Sequence, residues 1–231
     1  MSEKVLGILG GMGPEATLDF FNKVVTMTPA NNDQEHLRII IDNNPKIPDR
    51  TEAILTKSQA LLPVLVATAK NLERAGADFI AIPCNTAHYF YDDLVKKTTV
   101  PVLHMIREMA KAAKSANAEC EKVGLLATTG TVNTNLYQRE FQKTGIKVIA
   151  PAPKFQTEVM GAILEIKAGR DKTLAKKTLI RIAEMLLKQE VQALILGCTD
   201  IPLVIRQQDF TVPVLDSNQI LAEAAVKFAL S

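Results

Sequence analysis

Cysteine is scarce in this chain, with three in 231 residues. An odd number spread so widely excludes a disulfide framework and leaves reduced thiols, each to be judged on its surroundings. Long apolar runs are missing too. No segment approaches the roughly 18 continuous apolar residues of a membrane span, and the opening MSEKVLGILGG holds too short an apolar stretch for a signal peptide. A cytoplasmic protein without a membrane partner is expected. Nor does charge of one sign accumulate. The formal charge is +2, and Lys96, Lys97, Lys176 and Lys177 are scattered among acidic residues, so no basic stripe suits nucleic acid. What remains, 47% apolar and 23% charged residues, is the ordinary balance of a soluble globular protein rather than a disordered or fibrous one.

Short apolar runs recur along the sequence: VLGIL at 5–9, LRIII at 37–41, FIAI at 79–82, VPVL at 100–103, VGLLA at 123–127, KVIAP at 147–151, ALIL at 193–196 and VPVL again at 212–215. Runs apolar at successive positions suit strands covered on both faces, with helical crossovers between them, and so predict parallel sheets. Pro14 and Glu15 suit the first turn of a helix reaching about Met27, with Leu18, Phe21 and Val25 on one face. A second helix ends at Gly76, and Leu174, Leu179, Ile182, Met185 and Leu186 form the stripe of a third.

The chain also repeats itself. LGILGGMG at 6–13 matches VGLLATTG at 123–130, placing Gly7 against Gly124 and Gly13 against Gly130 at an offset of 117. FIAIPCNT matches ALILGCTD with Cys84 against Cys198 at an offset of 114, and VPVL recurs after 112 residues. A period this long is not a solenoid repeat; it predicts two similar α/β lobes, each with a parallel sheet of about four strands. Residues 1–103 with 213–231 would form the lobe carrying Cys84, and 104–212 the lobe carrying Cys198. Cys120, in the polar stretch SANAECEKV, has no counterpart and is set aside.

Ligands of parallel α/β sheets bind beyond the carboxyl ends of the strands. Cys84 and Cys198 each stand at such an end, and lobes related by a pseudo-twofold axis would set the thiols on opposite walls of one cleft. Two thiols flanking a planar carbanion suit racemisation: one removes a proton from one face, the other returns a proton to the opposite face. A free thiol pKa of about 8.5 makes either form accessible near neutrality. Asn85, Thr86 and Thr199 follow the cysteines, where they would cap a helix or, with backbone N–H groups, hold a carboxylate.

GILGGMGPEAT, NNPKIPDRT, PCNTAH, GLLATTGT and GCTD, in that order, together resemble the cofactor-independent aspartate/glutamate racemase family. The resemblance implies two flavodoxin-like lobes, an active site between them, no pyridoxal phosphate or other cofactor, and a homodimer acting on a small acidic amino acid, aspartate or glutamate. It makes Cys84 and Cys198 the catalytic pair. It also implies that Arg50 of IPDRT meets a substrate carboxylate through its bidentate fork and Lys167 of EIKAG the other carboxylate. By the same carry-over Asn85, Thr86 and Thr199 contact the α-carboxylate or amino group, while Met12, Thr128 and Thr129 line the cleft. In one respect the chain departs from the family: Asp200 stands where glutamate commonly follows GCT.

Other readings compete on the same residues. GMGPEA at 11–16 after a strand, with Asp42 ending the next, fits a loose nicotinamide-binding fingerprint and a dehydrogenase, although Asp42 comes later than the usual interval. A zinc site would use Cys84, His88 and Cys198, but neither C-x-x-C nor H-E-x-x-H is present, so no metal is expected. His36 and His104 are solitary. A sensor of acidic amino acids would need the cleft without the thiols, and a hydrolase with Cys84 as nucleophile would leave Cys198 unexplained.

Overall fold

The computed structural model describes residues 3–231. The chain divides into two compact units: the chain up to Met105 with Asn218–Ser231, and Ile106–Ser217.

In the first unit β1 (Leu6–Gly10) leads into α1 (Pro14–Met27), then β2 (Ile39–Asn43), α2 (Arg50–Thr56), α3 (Leu61–Arg74), β3 (Phe79–Ala81) and α4 (Tyr91–Val95). The strands form a parallel sheet in the order β2-β1-β3. One face is covered by α3 through Leu61, Leu65, Ala69 and Leu72 against Leu9 and Ile80. On the other, Leu6, Ile8 and Phe79 meet Phe20 and Val24 of α1 and Leu221, Ala225 and Val226 of the last helix. The buried face of α1 is thus the one carrying Ala16, Phe20 and Val24. Leu18, expected inward, is 65% exposed, because the sheet meets the helix one position away from the stripe the spacing suggested.

α5 (Met105–Ala116) leads into the second unit, which continues with β4 (Lys122–Ala127), α6 (Thr129–Asn133), α7 (Leu136–Gln142), β5 (Lys147–Ile149), α8 (Pro153–Lys167), α9 (Lys172–Leu187), β6 (Ala193–Gly197) and β7 (Val214–Asp216). Its parallel sheet runs β5-β4-β6-β7. Val159, Ile163 and Ile166 of α8 and Leu179, Ile182 and Leu186 of α9 cover one face, each contributing about 1.5–3 kcal/mol by leaving water. Leu174, expected in that stripe, is exposed at the start of α9. α10 (Ser217–Ala229) then carries the chain back to pack on the first sheet.

The repeat is visible in the hydrogen bonding. Gly7 pairs with Ile40 and Ile80, and Gly124 with Ile149 and Leu194. Pro101 O accepts from Ile80 N and Pro213 O from Leu194 N, both at 2.9 Å, so each VPVL supplies a proline that pairs by its carbonyl, the one ladder group it retains. The two copies differ in extent. The first gives a single parallel bridge, Ile80 to Val102, since the chain enters α5 at Met105; the second gives β7. The first sheet therefore has three strands and a bridge. Residues 213–217, grouped by sequence with the first lobe, fall in the second unit, held there by β7 alongside β6 and by Ser217 Oγ donating to Leu196 O at 2.9 Å.

Candidate active site

In the first unit the turn after β1 is drawn tight by its own side chains. Gly11 N donates to Thr17 Oγ1, which donates to Gly13 O, both at 2.9 Å. Gly11 has φ +91°, and a methyl there would stand 2.3 Å from the carbonyl carbon of Asn44. The chain itself fills the space a side chain would take here, so packing against Asn44 alone requires glycine at this position. Asp42 accepts from Asn71 Nδ2 at 3.1 Å. Met12, 2% exposed, turns inward to share an apolar cluster with Ile47, Cys84 and Ala87.

Arg50 opens α2, whose N-terminus is capped by Asp49 Oδ1 accepting from Glu52 N at 2.8 Å. Its Nη1 donates to Ile47 O (3.3 Å) and Pro48 O (3.1 Å). The guanidinium is thereby folded onto the loop that precedes it, and α2 lies against the 3₁₀ turn Thr86–Phe90.

Cys84 follows β3 by three residues and is buried, 5% exposed, with Asn85 and Thr86 beside it also buried. Its N–H closes a short turn to Ile82 O at 2.7 Å. Asn85 stands at the cap position of the 3₁₀ turn without its side chain capping it. His88 fastens this segment. Its Nε2 accepts from Met105 N at 3.1 Å, so the proton of the neutral ring lies on Nδ1, which donates to Cys84 O at 2.9 Å. Both nitrogens are thus engaged within the protein, and the ring packs near His104 and Tyr91. The residue that suggested a metal ligand is a brace for the cysteine backbone. Among the described residues no group of three or more His, Cys, Asp or Glu is placed to hold a metal ion.

In the second unit β4 and β6 end in register, Ala127 against Gly197, which sets Thr128 and Cys198 at the same carboxyl edge. Thr128 caps α6: its Oγ1 accepts from Thr131 N at 3.2 Å and donates to Thr131 Oγ1 at 3.0 Å. Thr129, half-buried, opens that helix. Gln156, in the first turns of α8, was not singled out by sequence. It is buried, its Nε2 donates to Ala127 O at 2.9 Å, and its Oε1 has no hydrogen-bond partner. The signal for it was a polar residue on the same helix face as Val159 and Ile163.

Cys198 and Thr199 are buried directly after β6. Asp200 Oδ2 lies 3.5 Å from Cys198 Sγ and 2.9 Å from Nζ of Lys167, the last residue of α8. Asp200 is not a helix-capping carboxylate here. Tyr137 of α7 packs its ring against Gly197. Burial pushes the Tyr137 phenol well above its usual range, and Cys198 and Asp216 push the same way when they carry negative charge, so it stays protonated. Cys120, read as an incidental linker residue, is buried; burial raises its thiol, against smaller opposing effects from the Lys122 backbone and Lys114.

Each unit therefore offers one buried cysteine just beyond the carboxyl end of a parallel strand, with hydroxyl or amide residues next in line and a cationic side chain in the same unit. A family model described as Asp/Glu/Hydantoin racemase matches residues 9–225, and the chain belongs to that family of isomerases. The solved structure of Picrophilus torridus aspartate racemase is similar, with a TM-score of 0.88 and 35% identity over 98% of this chain and 94% of that one. An aspartate racemase homologue from Pyrococcus horikoshii gives a TM-score of 0.79 at 27% identity, covering 99% of this chain and all of that one. The broad specificity amino-acid racemase RacX of Bacillus subtilis is 29% identical over 98% of this chain and 99% of its own length. With two parallel sheets flanked by helices, the two-lobed α/β fold expected from the repeat is the fold of this chain, and the family match and these relatives lend the nicotinamide reading no support.

Proposed function

We propose that this racemase acts on an acidic amino acid, aspartate first, without pyridoxal phosphate, with Cys84 and Cys198 as its two bases. The observation that carries the reading is the equivalent placing of the two buried cysteines after β3 and β6. One sulfur, as thiolate, takes the α-proton and forms an S–H bond while the C–H electron pair delocalises into the α-carboxylate. The other, as thiol, gives its proton to the opposite face, forming the new C–H bond and becoming the thiolate. One proton leaves carbon and one arrives, nothing is oxidised or reduced, and the sulfurs have exchanged roles.

Asn85, Thr86 and Thr199 are proposed to hold the α-carboxylate or amino group, with Met12, Thr128 and Thr129 as lining. Arg50 keeps guanidinium donors beyond the two contacts of its Nη1 to loop carbonyls, and these would meet a carboxylate. Lys167 would meet the other. A homodimer in the cytoplasm completes the proposal; no helix among the described residues is long and apolar enough to cross a membrane.

A wider substrate range is favoured by one contact. Lys167 already pairs with Asp200, which offsets part of the charge a substrate side-chain carboxylate would use, and RacX is named for broad specificity. The test is incubation of purified protein with L-aspartate, L-glutamate or L-alanine in deuterated water, following α-deuteration and optical activity. Aspartate should racemise fastest with deuterium at the α-carbon. Equal rates on all three would replace the acidic preference with the broad one, and absence of α-exchange on every amino acid tried would sink the racemase reading.

A further inference from the structure

The duplication breaks its own symmetry two residues after each cysteine. Thr86, an uncharged hydroxyl, stands in one half, and Asp200, at the cysteines' offset of 114, stands in the other. The Asp200 side chain is only 3% exposed, and a carboxylate buried to that degree stays ionised when a cation pairs with it. Lys167 provides that cation at 2.9 Å. The same oxygen, Oδ2, is the acceptor 3.5 Å from Cys198 Sγ. An ionised carboxylate has no proton to give, so the sulfur must be the donor in this contact. The contact exists as a hydrogen bond only while Cys198 is protonated; a thiolate there would set two anions 3.5 Å apart.

Charged and titratable groups on three further elements act in the neighbourhood of this sulfur. Lys167 reaches in from α8, opposing the carboxylate. Tyr137 faces Cys198 from α7 as a neutral phenol, and Asp216 of β7 acts on Tyr137 as a further anion. A thiolate at Cys198 would thus add negative charge beside the Asp200 carboxylate.

We propose that Asp200 is a positioning residue that keeps the proton of Cys198: in the substrate-free enzyme Cys198 is held as the thiol on Oδ2 and enters the reaction as the acid, leaving Cys84 as the base. Lys167, paired with the same Oδ2, holds the carboxylate in place as the acceptor of that proton's hydrogen bond. The assignment of acid and base rests on the two-cysteine reading; the thiol–carboxylate contact does not. Because enantiomers have equal free energies, kcat/KM is the same in both directions whichever thiol is charged at rest. The asymmetry has to be read from the thiols themselves.

The experiment is alkylation of the full-length, substrate-free protein by iodoacetamide from about pH 5.5 to about pH 10, with the rate at each cysteine resolved by peptide mass spectrometry. In the wild type the pH midpoint for Cys198 should lie above that for Cys84. Asp200→Asn should raise Cys198 alkylation near pH 7 about tenfold and lower its midpoint by about one unit, leaving the Cys84 midpoint in place. Asp200→Glu, which keeps a carboxylate at this position, should retain the wild-type order. A wild-type Cys198 midpoint below that of Cys84, or one unmoved by Asp200→Asn in a variant that melts like the wild type, would overturn the proposal. None of these readouts needs turnover. Absence of α-deuteration in the wild type would remove the racemase reading alone, while a competent racemase with an unmoved Cys198 midpoint would remove this inference alone.

Discussion

Gly7 and Gly124 occupy the same station in their two sheets, each pairing on both sides within a parallel sheet and each lying beneath a leucine of a covering helix, Leu72 and Leu186. A methyl at Gly7 would stand 2.9 Å from Ala77 Cβ and 3.3 Å from Leu72 Cβ; at Gly124 it would stand 2.9 Å from Leu194 Cδ2 and 3.3 Å from Leu186 Cβ. The missing side chain is what lets helix and sheet close in both halves.

Gly7→Ala and Gly124→Ala are both expected to destabilise the protein, by about 1–3 kcal/mol, the usual cost of overpacking a filled core. Gly7→Ala should cost more, because Ala77 has no rotamer with which to withdraw whereas the end of Leu194 can rotate. Urea denaturation of the two variants would check the order.

His88 braces Cys84 without belonging to the proton-transfer pair. Replacing it by leucine would leave the Met105 N–H and the Cys84 carbonyl without their ring partner, at about 1–3 kcal/mol for each buried group that goes unsatisfied. The expected signature is a lower melting temperature together with a reduced kcat, measured on the fraction that remains folded. His88→Asn, which keeps a donor and an acceptor on a shorter side chain, should recover part of the loss.

Asp209 shows how acid should act on the second unit. The hydrogen bond from Lys176 holds its carboxyl below the usual range, against the effect of burial and with help from the Arg206 backbone. A carboxyl lowered in the folded state stabilises the fold above its unfolded value and loses that contribution as pH falls through the folded one. Lys176→Met should therefore lower stability at pH 7 by no more than about 1 kcal/mol, and the difference from wild type should shrink as pH falls below the usual carboxylate range and through the lowered value of Asp209. Thermal melts across that window would show the convergence.

Much of this was legible in the sequence because it is local or repeated. Strand runs, the helix begun by Pro14, and the turn at Gly76 with φ +95° follow from periodicity and backbone preference. The repeat made Cys84 and Cys198 equivalent before any fold was known. What escaped notice depends on residues brought together from afar. Asp200 meets Lys167 across 33 residues of chain, and Gln156 reaches Ala127 across 29; no pattern within either segment specifies those partners. Leu18 and Leu174 went astray because an apolar stripe is wider than the surface that finally covers it. The fate of VPVL, a bridge in one half and a strand in the other, turned on how soon the next helix begins.

The most direct measurement is α-deuteration together with optical activity of aspartate in deuterated water, comparing wild type, Cys84→Ser and Cys198→Ser. Serine keeps the shape of the site but ionises far too weakly to serve as a base near neutral pH. The expected result is that each single variant loses racemisation by a factor of about 10² or more while remaining folded. Racemisation at the wild-type rate by either one would contradict the two-cysteine mechanism.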